Sequence, residues 1–180
     1  MRKIQIGVIG DSQCSDKVSN LAYQVGKSIA SNNTTLICGG RGGVMLGASK
    51  GCKENNGLVV GILPGFNEQE SEANPYLDVS IPTNLGWTRN SLVAMASDGL
   101  IVIGGKSGTL SEISFGWMYD KPIVSLNHPD IPESSWGRKF AGLALDDRRD
   151  DIIWECDDPE KTVNLLIQKI KEKIPENKKI

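Results

Sequence analysis

The sequence predicts an α/β fold in which helices cover both faces of a mostly parallel sheet. Short apolar runs rich in β-branched residues alternate along the chain with segments of helical spacing. Strands that alternate with helices pair in parallel, since each helix carries the chain back across the sheet. We find no internal repeat and no low-complexity linker, so residues 1–180 are expected to form one domain, with a polar tail at 175–180.

The individual elements follow from local patterns. Residues 4–9 form an apolar, β-branched run that is typical of a buried strand. The helix after it, at residues 16–30, is indicated by the apolar spacing of Val18, Leu21 and Val25. This succession is typical of a Rossmann-like three-layer sandwich. By the same criteria we expect strands at 34–38, 58–63, 78–81, 99–103, 122–126 and 152–155, helices at 44–55, 85–97, 110–119 and 159–174, and irregular chain at 66–77 and 127–142.

Composition and charge exclude several classes of function. The formal net charge of −2 does not indicate a basic stripe, so no nucleic-acid partner is expected. No apolar stretch of about 18 residues is present, so no membrane partner is expected, and the expected location is cytoplasmic. The four cysteines form no Cys-x-x-Cys pair and are expected to be reduced, buried thiols. With one histidine, His128, neither a metal site nor a Ser-His-Asp triad is predicted.

Three glycine-bearing loops are expected to meet at one edge of the sheet. They follow the strands predicted at 4–9, 34–38 and 99–103. Open parallel sheets bind ligands outside the carboxyl ends of their strands, where these loops lie. The candidate ligand-binding residues are Gly10, Ser12, Gly39, Gly40, Arg41, Gly42, Gly43, Gly105, Lys106, Ser107, Gly108 and Thr109.

The third loop has the features of an anion site. It joins a buried strand directly to a helix, whose N-terminus exposes unpaired amides and the positive end of the helix dipole. Glycine lets the backbone approach an anion closely, while Lys106, Ser107 and Thr109 add one cation and two hydroxyls. The alternative is a glycine-rich turn that serves only close packing. Two more such loops at the same edge favour phosphate binding.

Two common phosphate motifs do not fit the chain. A P-loop would need a glycine at the position of Leu100, which lies inside a predicted strand. The dinucleotide fingerprint is absent from the first strand–helix turn, where Gly7 and Gly10 are spaced differently. The predicted phosphate site is therefore of another kind.

Arg89 and Glu112 are candidate catalytic residues, and each has a structural alternative. Arg89 lies among apolar residues of a predicted helix, where it either reaches solvent or forms a fork for a phosphate or carboxylate. Arg41 could fill the same role. Glu112 follows Thr109 by three residues, which is the spacing of a capping box. Its functional alternative is a carboxylate that faces a sugar beside the bound phosphate.

Four segments together match one known pattern. They are residues 39–45 (GGRGGVM), 62–65 (ILPG), 88–90 (TRN) and 105–112 (GKSGTLSE). In this combination the chain resembles the Lonely Guy (LOG)-like Rossmann superfamily, often labelled lysine decarboxylase, over roughly residues 4–126. The family motif P-G-G-x-G-T-x-x-E, with an arginine helix before it, aligns with this chain without a gap.

The resemblance implies a nucleotide-type ligand. LOG enzymes hydrolyse the N-glycosidic bond of cytokinin riboside 5′-monophosphates, which releases a base and ribose 5-phosphate, and their catalytic pair would here be Arg89 and Glu112. The chain departs from the enzyme motif at Gly104, which replaces proline, and at Lys106, which replaces the second glycine. In this it resembles a branch that includes molybdenum-cofactor carrier proteins, which bind a phosphorylated pterin.

Three functions stay open at this point. The chain is a nucleoside 5′-monophosphate phosphoribohydrolase, a non-catalytic carrier or sensor of a phosphorylated ligand, or an interaction module in which Glu112 only caps a helix. No required cofactor is implied, and the expected ligand is a nucleotide, phosphate or molybdenum cofactor. The resemblance also implies a homodimer or larger homo-oligomer, in which the helix bearing Arg89 and the helix after the third loop take part. Residues 66–77 either stay open or close over the site.

Overall fold

Seven parallel strands form the sheet. The computed structural model describes residues 2–173. Its strands are β1 (Gln5–Gly10), β2 (Thr35–Cys38), β3 (Leu58–Leu63), β4 (Val79–Pro82), β5 (Gly99–Ile103), β6 (Ile123–Leu126) and β7 (Trp154–Cys156). They are arranged in the order β4-β3-β2-β1-β5-β6-β7, and each pairing between these described strands is parallel. The predicted α/β class is confirmed.

Helices cover both faces of this sheet, as the three-layer prediction requires. They are α1 (Asp16–Ser31), α2 (Val44–Glu54), α3 (Glu68–Ser71), α4 (Asn90–Ala96), α5 (Ser107–Met118), α6 (Trp136–Phe140) and α7 (Pro159–Lys173). On one face, α1, α2 and α7 share an apolar core with Val8 and Leu36 of the sheet. On the other face, α4 and α5 pack with Ile9 and Ile37. Successive side chains of a strand point to opposite faces, so each central strand serves both cores.

The helices α1 and α2 approach closely because glycine lines their contact. A Cβ on Gly26 would lie 2.0 Å from the carbonyl oxygen of Ala48, and a Cβ on Gly51 would lie 2.0 Å from that of Tyr23. No side chain fits into gaps of that size, so the two backbones meet directly. The start of α2 is held close to the end of β1 by the Val44 amide, which donates to the Asp11 carbonyl at 2.9 Å.

The order in which successive strands are added to the sheet changes direction at β1. The strands β2, β3 and β4 lie on one side of β1, and β5, β6 and β7 lie on the other. At such a switch point the connections leave neighbouring strands in opposite directions and open a crevice beyond the carboxyl ends. Here the crevice lies beyond Gly10 and Ile103, which are register partners. All three glycine-bearing loops follow strands at this edge.

Two helices begin elsewhere than the sequence indicates. The helix predicted at 85–97 is divided into a 3-10 turn, Gly86–Arg89, and α4. Gly86 has a φ of 54°, which a regular α-helix does not admit. The helix α5 begins at Ser107 rather than at residue 110. Gly105, with a φ of 103°, turns the chain sharply out of β5 and lets the helix start at once.

Two segments predicted as irregular contain short helices. Residues 66–77 include α3, whose N-terminus is capped by Asn67 through a hydrogen bond from the Glu70 amide. Residues 127–142 include α6. The polar tail predicted at 175–180 lies outside the described residues.

Candidate functional site

A cavity of about 520 Å³ lies at the crevice between β1 and β5. Its size is typical of a site for a small molecule. It is bordered by the loop after β1, the 3-10 turn and the first turn of α5. Nine residues named from the sequence line it: Gly10, Ser12, Arg41, Arg89, Lys106, Ser107, Gly108, Thr109 and Glu112.

The first turn of α5 faces this cavity without a cap. No side chain of residues 2–173 caps the helix N-terminus, and the Leu110 amide donates to the Lys106 carbonyl at 2.9 Å. The amides of Ser107, Gly108 and Thr109 come before this bond and have no partner within the helix. These free amides and the helix dipole direct partial positive charge into the cavity. The exposed Lys106 side chain adds one full positive charge.

Arg89 is buried, so the solvated-arginine interpretation is wrong. Its exposed fraction is 5%. The guanidinium donates to the Gly39 carbonyl at 3.2 Å and to Glu112 Oε1 at 3.4 Å. Its Nε is buried and has no hydrogen-bond partner among residues 2–173. Burial lowers the pKa of Arg89, while Glu112 opposes this effect. A buried donor without a partner is costly.

Glu112 is buried against Arg89, and the capping-box interpretation is wrong. Because α5 begins at Ser107, Thr109 lies within the first turn and Glu112 lies in the second, too far along the helix to reach the N-cap amide. Burial raises the pKa of Glu112 to about 7, while the charge of Arg89 acts in the opposite direction. The carboxyl group therefore divides between its neutral and charged forms near neutral pH, which is typical of groups that exchange protons in active sites.

The glycines after β2 serve close packing against the site. A Cβ on Gly39 would lie 2.5 Å from the guanidinium nitrogens of Arg89. A Cβ on Gly43, whose φ is 61°, would lie 2.3 Å from the carbonyl oxygen of Asp11. These glycines let Arg89 and the loop after β1 come close to the backbone. Five residues named from the sequence are thus near the cavity but outside its lining: Gly39, Gly40, Gly42, Gly43 and Gly105.

Arg41 is the residue of this loop that reaches the cavity. Its guanidinium also forms an ion pair with Glu72. A second cavity of about 360 Å³ adjoins the first, and Arg41, Trp87 and Arg89 line both. The two cavities are therefore neighbours that share part of their lining.

Six further lining residues were not named as candidate site residues from the sequence. Asn90 donates to the Gly108 carbonyl at 3.2 Å and to the Ser111 hydroxyl at 2.8 Å, which joins α4 to the start of α5. Its place beside Arg89 in the matched segment 88–90 was a usable signal, as was its polarity inside an apolar helix. Trp87 gave none, since an aromatic residue at this place in a predicted helix indicates core packing. The six residues are Asp11, Gln13, Met45, Trp87, Asn90 and Ser111.

The described part of the chain shows no metal-binding cluster, no disulfide and no membrane-spanning helix. It contains no group of three or more His, Cys, Asp or Glu side chains placed to hold a metal ion. The four cysteines are free: Cys38 and Cys52 are buried as expected, whereas Cys14 and Cys156 are half-buried. No helix within residues 2–173 combines the length and apolar character that crossing a membrane requires.

One family model matches most of the chain. A model of the SLOG cluster4 family matches residues 3–163. The cytokinin riboside 5′-monophosphate phosphoribohydrolase of Mycobacterium tuberculosis is 32% identical over 133 residues, which cover 68% of this chain and 65% of that enzyme. The match therefore spans slightly less than two thirds of the enzyme's length.

Two solved structures are similar over nearly their full length. The molybdenum cofactor binding protein from Rippkaea orientalis is 34% identical with a TM-score of 0.82, over 94% of this chain and 99% of that one. The molybdenum cofactor carrier protein from Chlamydomonas reinhardtii is 30% identical with a TM-score of 0.78, over 96% and 100%. These similarities confirm the resemblance that the sequence motifs indicate.

Proposed function

The chain belongs to the SLOG cluster4 family, and we propose that it binds a small phosphorylated ligand in the cavity between β1 and β5. One observation carries the proposal. The uncapped first turn of α5 lines the same cavity as the cationic side chains of Lys106 and Arg89. Phosphate oxygens are strong acceptors and can satisfy several such donors at once.

The charges around the cavity favour an anion. Lys106, Arg41 and Arg89 outnumber the carboxylates Asp11 and Glu112 among the lining residues. Because burial raises the pKa of Glu112 to about 7, its partial protonation near neutral pH enlarges the positive balance. A phosphate monoester, which is close to a dianion at this pH, offsets that balance.

Within this class we propose that the protein carries a phosphorylated heterocycle, with the molybdenum cofactor as the named candidate. The proteins from R. orientalis and C. reinhardtii, whose names refer to that cofactor, match this chain over nearly its whole length. Lys106 supports the proposal because it places a cation where the LOG enzyme motif has glycine. A charge-assisted contact to phosphate favours retention of the ligand.

Hydrolysis of a nucleoside 5′-monophosphate is the second candidate, and the contact between Arg89 and Glu112 favours it. In this reaction water adds to C1′ of the ribose, the bond from C1′ to the base nitrogen breaks, and a proton from water passes to the base. The carboxylate of Glu112 would stabilise the cationic sugar, and its pKa of about 7 suits proton exchange. Arg89 would orient that carboxyl group.

A single screen separates these functions. Purified protein is incubated with a set of nucleoside 5′-monophosphates and the released base is measured. Glu112→Gln is the matched control, because glutamine keeps the shape and loses the acid–base function. Base release that disappears in the variant supports hydrolysis. Absence of release, with a higher Tm on adding a phosphorylated pterin or nucleotide, supports carriage. If no phosphorylated compound is cleaved or raises the Tm, the binding proposal is contradicted.

We also propose that the protein is a homodimer or larger homo-oligomer through α4 and α5. Met95 of α4 is exposed, as are Met118 and Tyr119 at the end of α5. Exposed apolar side chains on adjoining helices favour a protein–protein contact. Sedimentation velocity at micromolar concentration measures the assembly, and a monomer under these conditions would contradict the proposal.

A further inference from the structure

Trp87 is the most exposed large apolar side chain among residues 2–173, with an exposed fraction of 75%. It lies in the 3-10 turn, where the Gly86 amide donates to the Pro64 carbonyl at 2.9 Å and the Thr88 amide donates to the Leu85 carbonyl at 3.1 Å. The indole is therefore carried by a turn that is hydrogen-bonded to the end of β3. Arg89 in the same turn is buried.

The indole lies over the first turn of α5. Its Cζ3 atom is 3.6 Å from the position that a Cβ on Gly108 would occupy. Gly108 belongs to the turn whose amides are proposed to hold the phosphate. The part of the ligand that is bonded to this phosphate would therefore lie within a few ångströms of the indole.

Trp87 also lies where the two cavities meet. Together with Arg41 and Arg89 it lines both the cavity of about 520 Å³ and the adjoining one of about 360 Å³. Volumes of this size hold a whole small molecule rather than an anion alone, so the site has room for a second part of the ligand beside its phosphate. A flat apolar side chain at the mouth of such a site is suited to a flat, aromatic partner.

We infer that Trp87 is the stacking platform for a planar heteroaromatic ring of the phosphorylated ligand, and that it selects ring-bearing phosphates over simple sugar phosphates. The inference rests on the proposed phosphate site. Stacking tolerates different ring systems, because every such ring has a π-face. We expect the second cavity to discriminate between ring systems, because Glu70 and Asn84 there offer a carboxylate and an amide for the polar edge of the ring.

The test compares ligands with and without a ring. Affinities for adenosine 5′-monophosphate, guanosine 5′-monophosphate and ribose 5-phosphate are measured by calorimetry for the wild type, Trp87→Ala and Trp87→Phe. In the wild type the better nucleotide should bind roughly tenfold more tightly than ribose 5-phosphate. In Trp87→Ala this advantage should shrink to about twofold or less, while Trp87→Phe, which keeps a flat ring, should retain most of it. Binding of ribose 5-phosphate itself should be unchanged.

Met95→Ala is the matched control. Met95 is also apolar and exposed, and it lines neither cavity. The Met95→Ala variant should prefer nucleotides over ribose 5-phosphate as strongly as the wild type does. Sedimentation velocity on both alanine variants separates a change in assembly from a loss of stacking.

Two results would overturn the stacking role and leave the phosphate site in place. One is a wild type that binds neither nucleotide more tightly than ribose 5-phosphate. The other is a Trp87→Ala variant that keeps its nucleotide preference or loses affinity for all three ligands equally. Failure of all three compounds to bind the wild type would overturn both proposals.

Discussion

The two glycine-rich loops at the sheet edge resemble each other in sequence but meet different surroundings. At residues 39–43 the glycines lie against protein, since Gly39 touches the Arg89 guanidinium and Gly43 touches the backbone at Asp11. At residues 104–109 the chain turns into α5, and its last residues line the open cavity. Glycine in a sequence therefore marks a close approach of the backbone, but it does not say what approaches.

The first loop acts on the site indirectly. The Gly39 carbonyl accepts a hydrogen bond from Arg89, and Arg89 in turn contacts Glu112 of α5. The loop after β2 thus positions the ion pair that lies beneath the second loop. We expect substitutions in the first loop to affect stability most, and substitutions in the second to affect ligand affinity most.

The largest expected effect is at Gly43. Alanine there would combine a φ of 61° with a Cβ only 2.3 Å from a backbone oxygen. Strain and overpacking together should lower the free energy of unfolding by about 4 kcal/mol. Urea denaturation measures this change. Gly86→Ala is the matched control. Gly86 has a φ of 54°, but no atom of the described residues lies within 4 Å of its Cβ position. Strain alone should therefore lower the free energy of unfolding by about 1 kcal/mol. Equal losses in both variants would show that close approach is not what the first loop requires.

The pair beneath the second loop should make stability depend on pH. The pKa of Glu112 in the folded protein, about 7, lies above its ordinary value of 4.5 mainly because of burial. The protonated form is therefore favoured by folding. Its contribution to stability is complete below about pH 4.5 and is lost as the pH rises through 7. The free energy of unfolding of the wild type minus that of Glu112→Gln should fall across this window by on the order of 3 kcal/mol. A flat difference from pH 4.5 to 8 would refute a perturbed Glu112.

Each loop carries one cation, and the two should differ in their effect on the ligand. Lys106 lies exposed beside the uncapped amides of α5, whereas Arg41 is already paired with Glu72. Lys106→Ala should weaken binding of a nucleoside 5′-monophosphate about tenfold, and Arg41→Ala only about twofold. Calorimetry measures both. The reverse order would mean that the first loop holds the phosphate directly.

Thr109 should affect ligand binding less than Lys106 does. Its side chain lines the cavity although the residue is otherwise buried. Thr109→Val keeps the shape and removes the hydroxyl, so the monophosphate should bind about threefold more weakly with little change in Tm. An unchanged affinity would exclude the hydroxyl from the phosphate site.

Local patterns were sufficient to predict the sheet, both helical layers and the edge at which the cavity lies. They failed where burial depends on distant residues. Arg89 is buried because Gly39, which is 50 residues away, leaves room for its guanidinium. The Thr109–Glu112 spacing fitted a capping box, but the turn at Gly105 moves the helix start to Ser107. Trp87 is exposed because of a 3-10 turn that helical periodicity does not reveal.

The central claim is that the first turn of α5 holds the phosphate of the ligand. The most direct measurement is a calorimetric titration with adenosine 5′-monophosphate and with adenosine, in the wild type and in Lys106→Ala. We predict that the monophosphate binds the wild type at least about tenfold more tightly than the nucleoside, and that Lys106→Ala removes most of this ratio. Equal affinity for the two compounds, or a ratio that Lys106→Ala leaves unchanged, would contradict the claim.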